Sequence, residues 1–203
     1  MHILERTEHI DRMMNNEQYK EDYKKYLSPC LRGKPCIKLS STTCDKIATL
    51  SKEIIKAKVS ESHHRCDNHQ EFKRFYTGLL GEAALEKLFH TEIVDYNVGP
   101  SSYFNVADLS KQGLNIGIKT SEKWNFPVIH KYVERPEIIN VKKDDNTIIC
   151  LGLATVEVLQ QYQSDDYILS PYLKARGTKT CFYGFDKLIT IRNLDELREW
   201  SSV

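Results

Sequence analysis

Two residues near the middle of the chain have the types and spacing that phosphate chemistry requires. Asp108 stands just before a turn signal, Gln112-Gly113, and Lys119 lies inside the β-type segment that follows the turn. A carboxylate can hold a hard divalent cation, and an ammonium group can counter the charge that grows on an attacked phosphate. Placed opposite each other on adjoining strands, these groups predict a magnesium-dependent site for phosphodiester hydrolysis.

A carboxylate from a predicted helix completes the set. Apolar residues recur at three- and four-residue steps over residues 69–90, which predicts an amphipathic helix. Glu82 and Glu86 are four residues apart and therefore share one flank of that helix, at the edge of its apolar stripe. An unpaired buried carboxylate is costly, so a glutamate in this place needs a partner or a shifted pKa. Taken alone, the pattern fits both the rim of an ordinary surface helix and a helix that faces a site.

The alternation of residues 114–120 indicates which way Lys119 points. The apolar residues of this segment fall on one side of a strand, while Asn115, Gly117 and Lys119 fall on the other. A solitary lysine on a strand is more often a solvated charge than a site residue. A helix glutamate, a turn aspartate and a strand lysine in this order are a more specific combination, and we predict that Glu82, Asp108 and Lys119 form one site.

The elements that must position these residues change type after residue 90. Before it, the sequence predicts a charged helix over 2–27, a loop over 28–43, a helix over 44–60 and a polar linker over 61–68. After it, short β-branched and aromatic segments alternate with turn signals, which predicts strands over 93–98, 103–109, 114–120, 138–141, 148–154 and 180–185. Helices are predicted over 156–162 and 193–200, the latter capped by Asn193.

This order of elements predicts an α/β fold. A mixed β-sheet containing a three-strand meander is expected to be flanked by helices. We expect an N-terminal helical extension and linker over residues 1–68 and a core over residues 69–203.

The composition is that of an ordinary globular protein without a strong overall field. Hydrophobic residues make up 40% of the 203 and charged residues 28%, and 29 Lys and Arg against 28 Asp and Glu give a net charge of +1. A polyanionic partner would therefore need a local basic patch. No signal peptide and no run of 18 apolar residues is evident, so we expect no membrane partner and a cytoplasmic location.

Around the predicted site the chain resembles the PD-(D/E)xK nuclease superfamily, which has the restriction-endonuclease-like fold. The resemblance covers residues 72–154, and Asn125-Phe-Pro-Val-Ile-His-Lys131 and Arg135-Pro-Glu-Ile-Ile139 also look like segments of phage and restriction-system members. Gly81-Glu82 matches the Gly-Glu dipeptide of the family's helix, and Val106-Ala-Asp108 matches its first aspartate, with alanine where proline often stands. Ile116-Gly-Ile-Lys-Thr-Ser121 matches the strand that carries the acidic-x-Lys triplet. The departure is Gly117, which stands where the family usually places its second acidic ligand.

The resemblance implies an Mg²⁺-dependent deoxyribonuclease of the type II restriction-endonuclease kind, in a bacterial or phage-infected cell. Mn²⁺ would substitute for Mg²⁺, and no organic cofactor is implied. Glu82, Asp108 and Lys119 would be catalytic, and Glu82, Asp108 and the Ile118 carbonyl would bind the metal. Glycine at 117 leaves three interpretations. In the first, Glu82, Asp108 and the Ile118 carbonyl hold a single ion although residue 117 has no carboxylate. In the second, Glu122 or Glu86 supplies the missing charge. In the third, the fold has lost catalysis and only binds DNA or a protein partner.

The expected partner is DNA, with RNA as a weaker alternative. A homodimer, in which two chains pair, would allow both strands to be cut. Basic residues on the predicted loops and strands are the candidates for contact with backbone phosphates, namely Lys111, Lys123, Lys131, Lys142, Lys143, Lys174, Arg176 and Lys179.

A second group of residues has the types found in structural zinc sites. Soft and imidazole side chains crowd into about 40 residues, namely Cys30, Cys36, Cys44, His63, His64, Cys66 and His69. No Cys-x₂-Cys pair is present, and the spacings are looser than those of a zinc ribbon. Buried thiols and surface histidines therefore explain these residues better than a structural Zn²⁺ site does.

Overall fold

The computed structural model describes residues 16–59, 68–98 and 106–201. Its α-helices are α1 (Glu17–Tyr26), α2 (Ser41–Val59), α3 (Asn68–Phe89), α4 (Val156–Gln161), α5 (Pro171–Arg176) and α6 (Asp195–Arg198). Its strands are β1 (Cys36–Lys38), β2 (Gly117–Glu122), β3 (Val128–His130), β4 (Glu137–Lys142), β5 (Thr147–Ala154), β6 (Gln163–Ser164) and β7 (Lys179–Phe182). Short 3₁₀ turns lie at Ser28–Leu31, Ser110–Gln112, Asp165–Tyr167 and Phe185–Lys187.

The strands form two sheets, and the predicted α/β class with a mixed sheet flanked by helices is confirmed. The larger sheet has the order β1-β5-β4-β2, in which β2 runs parallel to β4 and the other neighbours are antiparallel. The smaller sheet has the order β3-β7-β6 and is antiparallel. The parallel pairing aligns the residues of β2 side by side with those of β4, so side chains from two distant parts of the sequence meet.

Both faces of the larger sheet are buried. Ile138 and Ile148 pack in a cluster with α2 and α3, whereas Ile139 and Val141 pack in a second cluster with α1 and the smaller sheet. This burial explains why β4 and β5 are nearly continuous apolar segments rather than alternating ones.

Residues 2–15 of the predicted helix 2–27 and residues 61–67 of the predicted linker lie outside the described residues, whereas residues 16–59 pack into this structure. Tyr19 and Tyr23 of α1 are buried against Phe126, with ring centroids 5.5 Å and 5.8 Å away. The loop predicted over 28–43 contains β1, which pairs with β5 at the edge of the larger sheet. The predicted boundary at residue 68 thus falls between segments that share a sheet and a core, because β1 and α2 supply part of both.

The predicted β-meander is wrong in its first two strands. Residues 93–98 form no strand, because the backbone N–H groups of Ile93 and Val94 both donate to Glu86 Oε1 at 2.8 Å instead of to a neighbouring strand. Residues 106–109 form a turn that leads into the Ser110–Gln112 3₁₀ segment, and residues 103–105 lie outside the described ones. The predicted strand 114–120 begins only at Gly117.

The remaining predicted elements are present with small shifts. The strands at 138–141, 148–154 and 180–185 correspond to β4, β5 and β7, and the helices at 69–90 and 156–162 to α3 and α4. The C-terminal helix is shorter than predicted, and Asn193 Oδ1 accepts from Glu196 N at 3.0 Å near its start.

A close contact between α3 and β2 sets the position of the helix. A Cβ atom on Gly81 would overlap Thr120 Oγ1 and lie 2.9 Å from Thr120 Cβ, so only glycine allows this approach. Gly78, one turn earlier on the same helix, has open space where its Cβ would be.

The two helical glycines should respond oppositely to alanine. We expect Gly81→Ala to destabilise the protein by roughly 1–3 kcal/mol, because an added methyl group forces α3 away from β2. Gly78→Ala should instead stabilise it by up to about 1 kcal/mol through helix propensity. Urea unfolding of both variants checks this, and equal effects of the two substitutions would contradict the packing argument.

Candidate functional site

Glu82 follows Gly81 on α3 and is brought next to β2 by the same contact. Its side chain keeps a small accessible surface although protein atoms surround it closely. Burial, and then the negative charges of Asp108 and Glu86, raise the pKa of Glu82 to about 8, with Lys119 opposing the shift. Without a bound metal ion, the Glu82 carboxyl group is therefore mostly protonated at neutral pH.

Asp108 reaches the same strand from the turn before it. Its Oδ2 atom accepts a hydrogen bond from the backbone N–H of Ile118 at 2.5 Å, and the residue is half-buried. The turn is held by its own backbone bonds, since Leu109 N donates to Ile116 O and Leu114 N to Leu109 O. The predicted metal ligands Asp108 and Ile118 are thus in direct contact.

Lys119 points towards a carboxylate that the sequence analysis did not identify. Its Nζ atom lies 3.4 Å from Glu137 Oε1, and only 4% of Glu137 is exposed. Burial raises the pKa of Glu137, while Lys119 opposes that shift. The other carboxylate oxygen, Oε2, is buried and has no hydrogen-bond partner.

The side chains of Asp108, Arg135 and Glu137 converge on Gly117. It is paired with Glu137 in the parallel register of β2 and β4. A Cβ atom on Gly117 would lie 3.5 Å from Glu137 Cγ, 3.5 Å from Arg135 Nε and 3.6 Å from Asp108 Oδ2. The space that the missing side chain leaves is therefore bordered by the Glu137 side chain of the neighbouring strand, by the Arg135 guanidinium and by the Asp108 carboxylate. A glutamate at the head of the apolar segment Ile138–Val141 was the only signal in the sequence, and it does not say which residue lies opposite.

The two glutamates named as substitutes for an acidic residue at 117 have other partners. Glu86 accepts the backbone bonds of Ile93 and Val94. Glu122 lies 2.6 Å from Lys73 Nζ and 3.9 Å from Lys142 Nζ, and it accepts from Thr77 at 3.2 Å. Neither replacement for residue 117 is supported by these contacts.

Across residues 16–59, 68–98 and 106–201, no three His, Cys, Asp or Glu side chains lie close enough to hold a metal ion as they stand. Of the zinc candidates, Cys30 and Cys36 donate to the carbonyls of Tyr26 and Lys34, and Cys44 is buried. His63, His64 and Cys66 lie outside the described residues, as does the side chain of His69.

Several of the lysines predicted to contact DNA are engaged in ion pairs. Lys131 lies 2.7 Å from Asp165, Lys111 lies 3.3 Å from Asp95, and Lys142 contacts Glu122. Lys123 and Lys174 have looser pairs, both at 4.0 Å, with Asp144 and Asp166. Their charge is partly neutralised locally, whereas Lys179 contacts His130 instead of a carboxylate.

No protein-family model matches the chain, and comparisons with curated proteins and with solved structures find no match. Among the described residues, no helix combines the length and the apolar character needed to cross a membrane.

The raised pKa of Glu82 makes stability depend on pH. Between the ordinary value of 4.5 and about 8 the folded chain binds one more proton than the unfolded chain, so stability should fall as pH rises. The slope from this group is at most about 1.4 kcal/mol per pH unit. Glu82→Gln should remove that slope and be the more stable protein at pH 8. Chemical denaturation from pH 5 to 8 measures both, and parallel curves would count against a buried protonated Glu82.

Proposed function

We propose that this protein is a metal-dependent endonuclease that hydrolyses DNA phosphodiester bonds, with a restriction-endonuclease-like core. One observation carries the proposal: Glu82, Asp108 and Glu137 are three carboxylates from three separate elements, and all lie in the electrostatic neighbourhood of Lys119 and β2. The resemblance of Gly81-Glu82, Asp108 and the Lys119 strand to the PD-(D/E)xK nucleases supports the same conclusion.

The donor set fits Mg²⁺ or Mn²⁺ better than other metals, because every candidate side chain offers oxygen. Glu137 Oε2 is a buried acceptor without a partner, and Glu82 is held in its neutral form by burial and by like charges. Both are unfavourable arrangements that a divalent cation would relieve. Side-chain rotation would have to bring the carboxylates closer, since no three lie within reach of one ion in the described structure.

Each residue then has a distinct role. Mg²⁺, when bound, would supply Lewis-acid activation of water and neutralise phosphate charge. Asp108 would ligate with Oδ1 while the Ile118 N–H bond fixes its Oδ2. Glu82 would become ionised on binding and hold the helix side of the site. Lys119 would exchange its contact with Glu137 for one with the attacked phosphate.

Gly117 lacks the acidic side chain of the family's motif, and Glu137 is a carboxylate on the neighbouring strand. The family's second acidic ligand would stand at 117, and here the Glu137 side chain of the neighbouring strand lies beside that position, with its Cγ 3.5 Å from where a Cβ of residue 117 would be. We propose that Glu137 takes the place of this ligand.

The direct test is cleavage of supercoiled plasmid DNA with Mg²⁺ or Mn²⁺. Asp108→Asn, Lys119→Gln and Glu137→Gln should each lower the rate by about 100-fold or more, because each removes charge from the reacting centre. Glu53→Gln, on the exposed face of α2, is the matched control and should cleave like the wild type. Normal cleavage by Glu137→Gln would remove that residue from the site, and normal cleavage by all three variants would remove the site altogether.

A carboxylate swap tests whether positions 117 and 137 are equivalent. The double variant Gly117→Asp, Glu137→Gln should cleave DNA at least about tenfold faster than Glu137→Gln alone, since it returns one negative charge to the same space. The single variant Gly117→Asp is the control for added charge. The equivalence is contradicted if the double variant is no more active than Glu137→Gln and remains folded.

A second candidate is a catalytically degenerate protein that binds DNA or a protein partner on the same fold. The observation that favours it is the spacing of the carboxylates, none of which form a ready metal site within the described residues. DNA binding that persists in EDTA, with no cleavage under any divalent cation, would select this candidate.

A further inference from the structure

The smaller sheet places a pair of basic side chains beside the proposed site. His130 of β3 and Lys179 of β7 stand directly opposite each other in the antiparallel register. Lys179 Nζ lies 2.5 Å from His130 Nε2. The ammonium group can only donate, so the imidazole nitrogen must accept, and His130 is neutral in this arrangement.

Other cations surround this pair. Desolvation, and then the charges of Lys179, Lys119 and Arg135, lower the pKa of His130. Desolvation and Lys119 likewise lower the pKa of Lys179 to about 8, with smaller contributions from Arg74 and Arg176. Positive groups contributed by both sheets therefore repel one another at this place, which is an unfavourable arrangement in the absence of an anion.

The local negative charge does not balance them. Glu134 opposes the shift of the His130 pKa as the last of its causes, and Glu137 opposes that of Lys179, but the Glu137 carboxylate is already 3.4 Å from Lys119 Nζ. Within the described residues, no carboxylate lies within 4.0 Å of Lys179 Nζ. Lys131, which follows His130 in the chain, differs because it pairs with Asp165. A lysine whose close contact is a neutral imidazole rather than a carboxylate, in the field of further cations, is suited to a negatively charged ligand.

We propose that Lys179 and His130 form an anion-binding subsite that holds a backbone phosphate adjacent to the one cleaved. The inference rests on the proposed function for the identity of the ligand, a phosphodiester of DNA. Lys119 links the two places, because it contacts Glu137 on one side and acts electrostatically on both His130 and Lys179 on the other. Binding of the phosphate lets His130 take up a proton, so that both side chains donate to the anion.

Inorganic phosphate in metal-free buffer is the first probe. In the wild-type protein it should shift the ¹⁵N resonances of the His130 ring, assigned with His130→Gln, and raise the pKa of His130. Lys179→Gln should abolish the saturable response, Lys179→Arg should retain it, and Lys52→Gln, at an exposed lysine of α2, should leave it unchanged. An equal response in wild type and Lys179→Gln would mean adventitious ion binding and would overturn the inference.

Stability separates this role from a structural one. Removing a repelling charge should leave Lys179→Gln at least as stable as the wild type in thermal unfolding. If Lys179 instead supported the fold through His130, Lys179→Gln would unfold at a lower temperature or fail to fold, and the inference would be overturned.

Cleavage of a duplex oligonucleotide with Mn²⁺ is the second probe. Lys179→Gln should raise KM about tenfold with kcat changed by less than about threefold, as expected for one lost charge-assisted contact to bound DNA. Phosphate binding that depends on Lys179, without cleavage by any variant, would leave the subsite standing and remove the hydrolase. Cleavage with unchanged KM in Lys179→Gln would remove the subsite and leave the hydrolase standing.

Discussion

The contact between Gly81 and Thr120 is the constraint on which the site depends. It brings the backbone of α3 close to β2, at a separation that no residue with a Cβ atom permits. The next residue, Glu82, is consequently placed beside the strand that carries Lys119, in surroundings that exclude most water. The same closeness makes the carboxylate costly to ionise, which is why its pKa rises to about 8. Position and electrostatic strain have one cause.

The carboxylates and the basic groups around β2 form two sets, with Lys119 at their boundary and Arg135 acting electrostatically on both. On one side are the carboxylates of Glu82, Asp108 and Glu137, and on the other the basic groups of His130 and Lys179. Like charges within each set repel one another, and Lys119 contacts Glu137 at 3.4 Å. A cation on the first side and an anion on the second would relieve both repulsions together. Metal and phosphate are ligands of these two signs, which is the physical reason for placing a phosphodiester across this boundary.

The sequence predicted those elements whose pattern is set by burial, and it failed where hydrogen bonding decides. The long helix α3 and the apolar strands β4 and β5 follow from periodicity and composition, because their packing faces are continuous. Residues 93–98 have the composition of a strand, yet the N–H groups of Ile93 and Val94 donate to Glu86, and a sequence pattern does not reveal this competition. The short helix α5 is marked by local residues rather than by periodicity, since Ser170 caps it, Pro171 begins it and Gly177 ends it in a left-handed conformation.

The candidate site divides in the same way. Glu82, Asp108 and Lys119 are linked by local motifs, and the fold brings them to one strand, whereas Glu137 is 20 residues beyond Gly117 in the sequence and reaches it only through parallel pairing. A motif defined along one strand cannot register a carboxylate supplied by the next. The backbone hydrogen bond from Gly117 N to Pro136 O, 2.9 Å long, fixes the start of that pairing and thereby places Glu137 beside the glycine. A missing acidic residue in a motif is therefore weak evidence for lost chemistry until the neighbouring strand is known. Here the neighbour carries a buried carboxylate oxygen with no partner at the corresponding position.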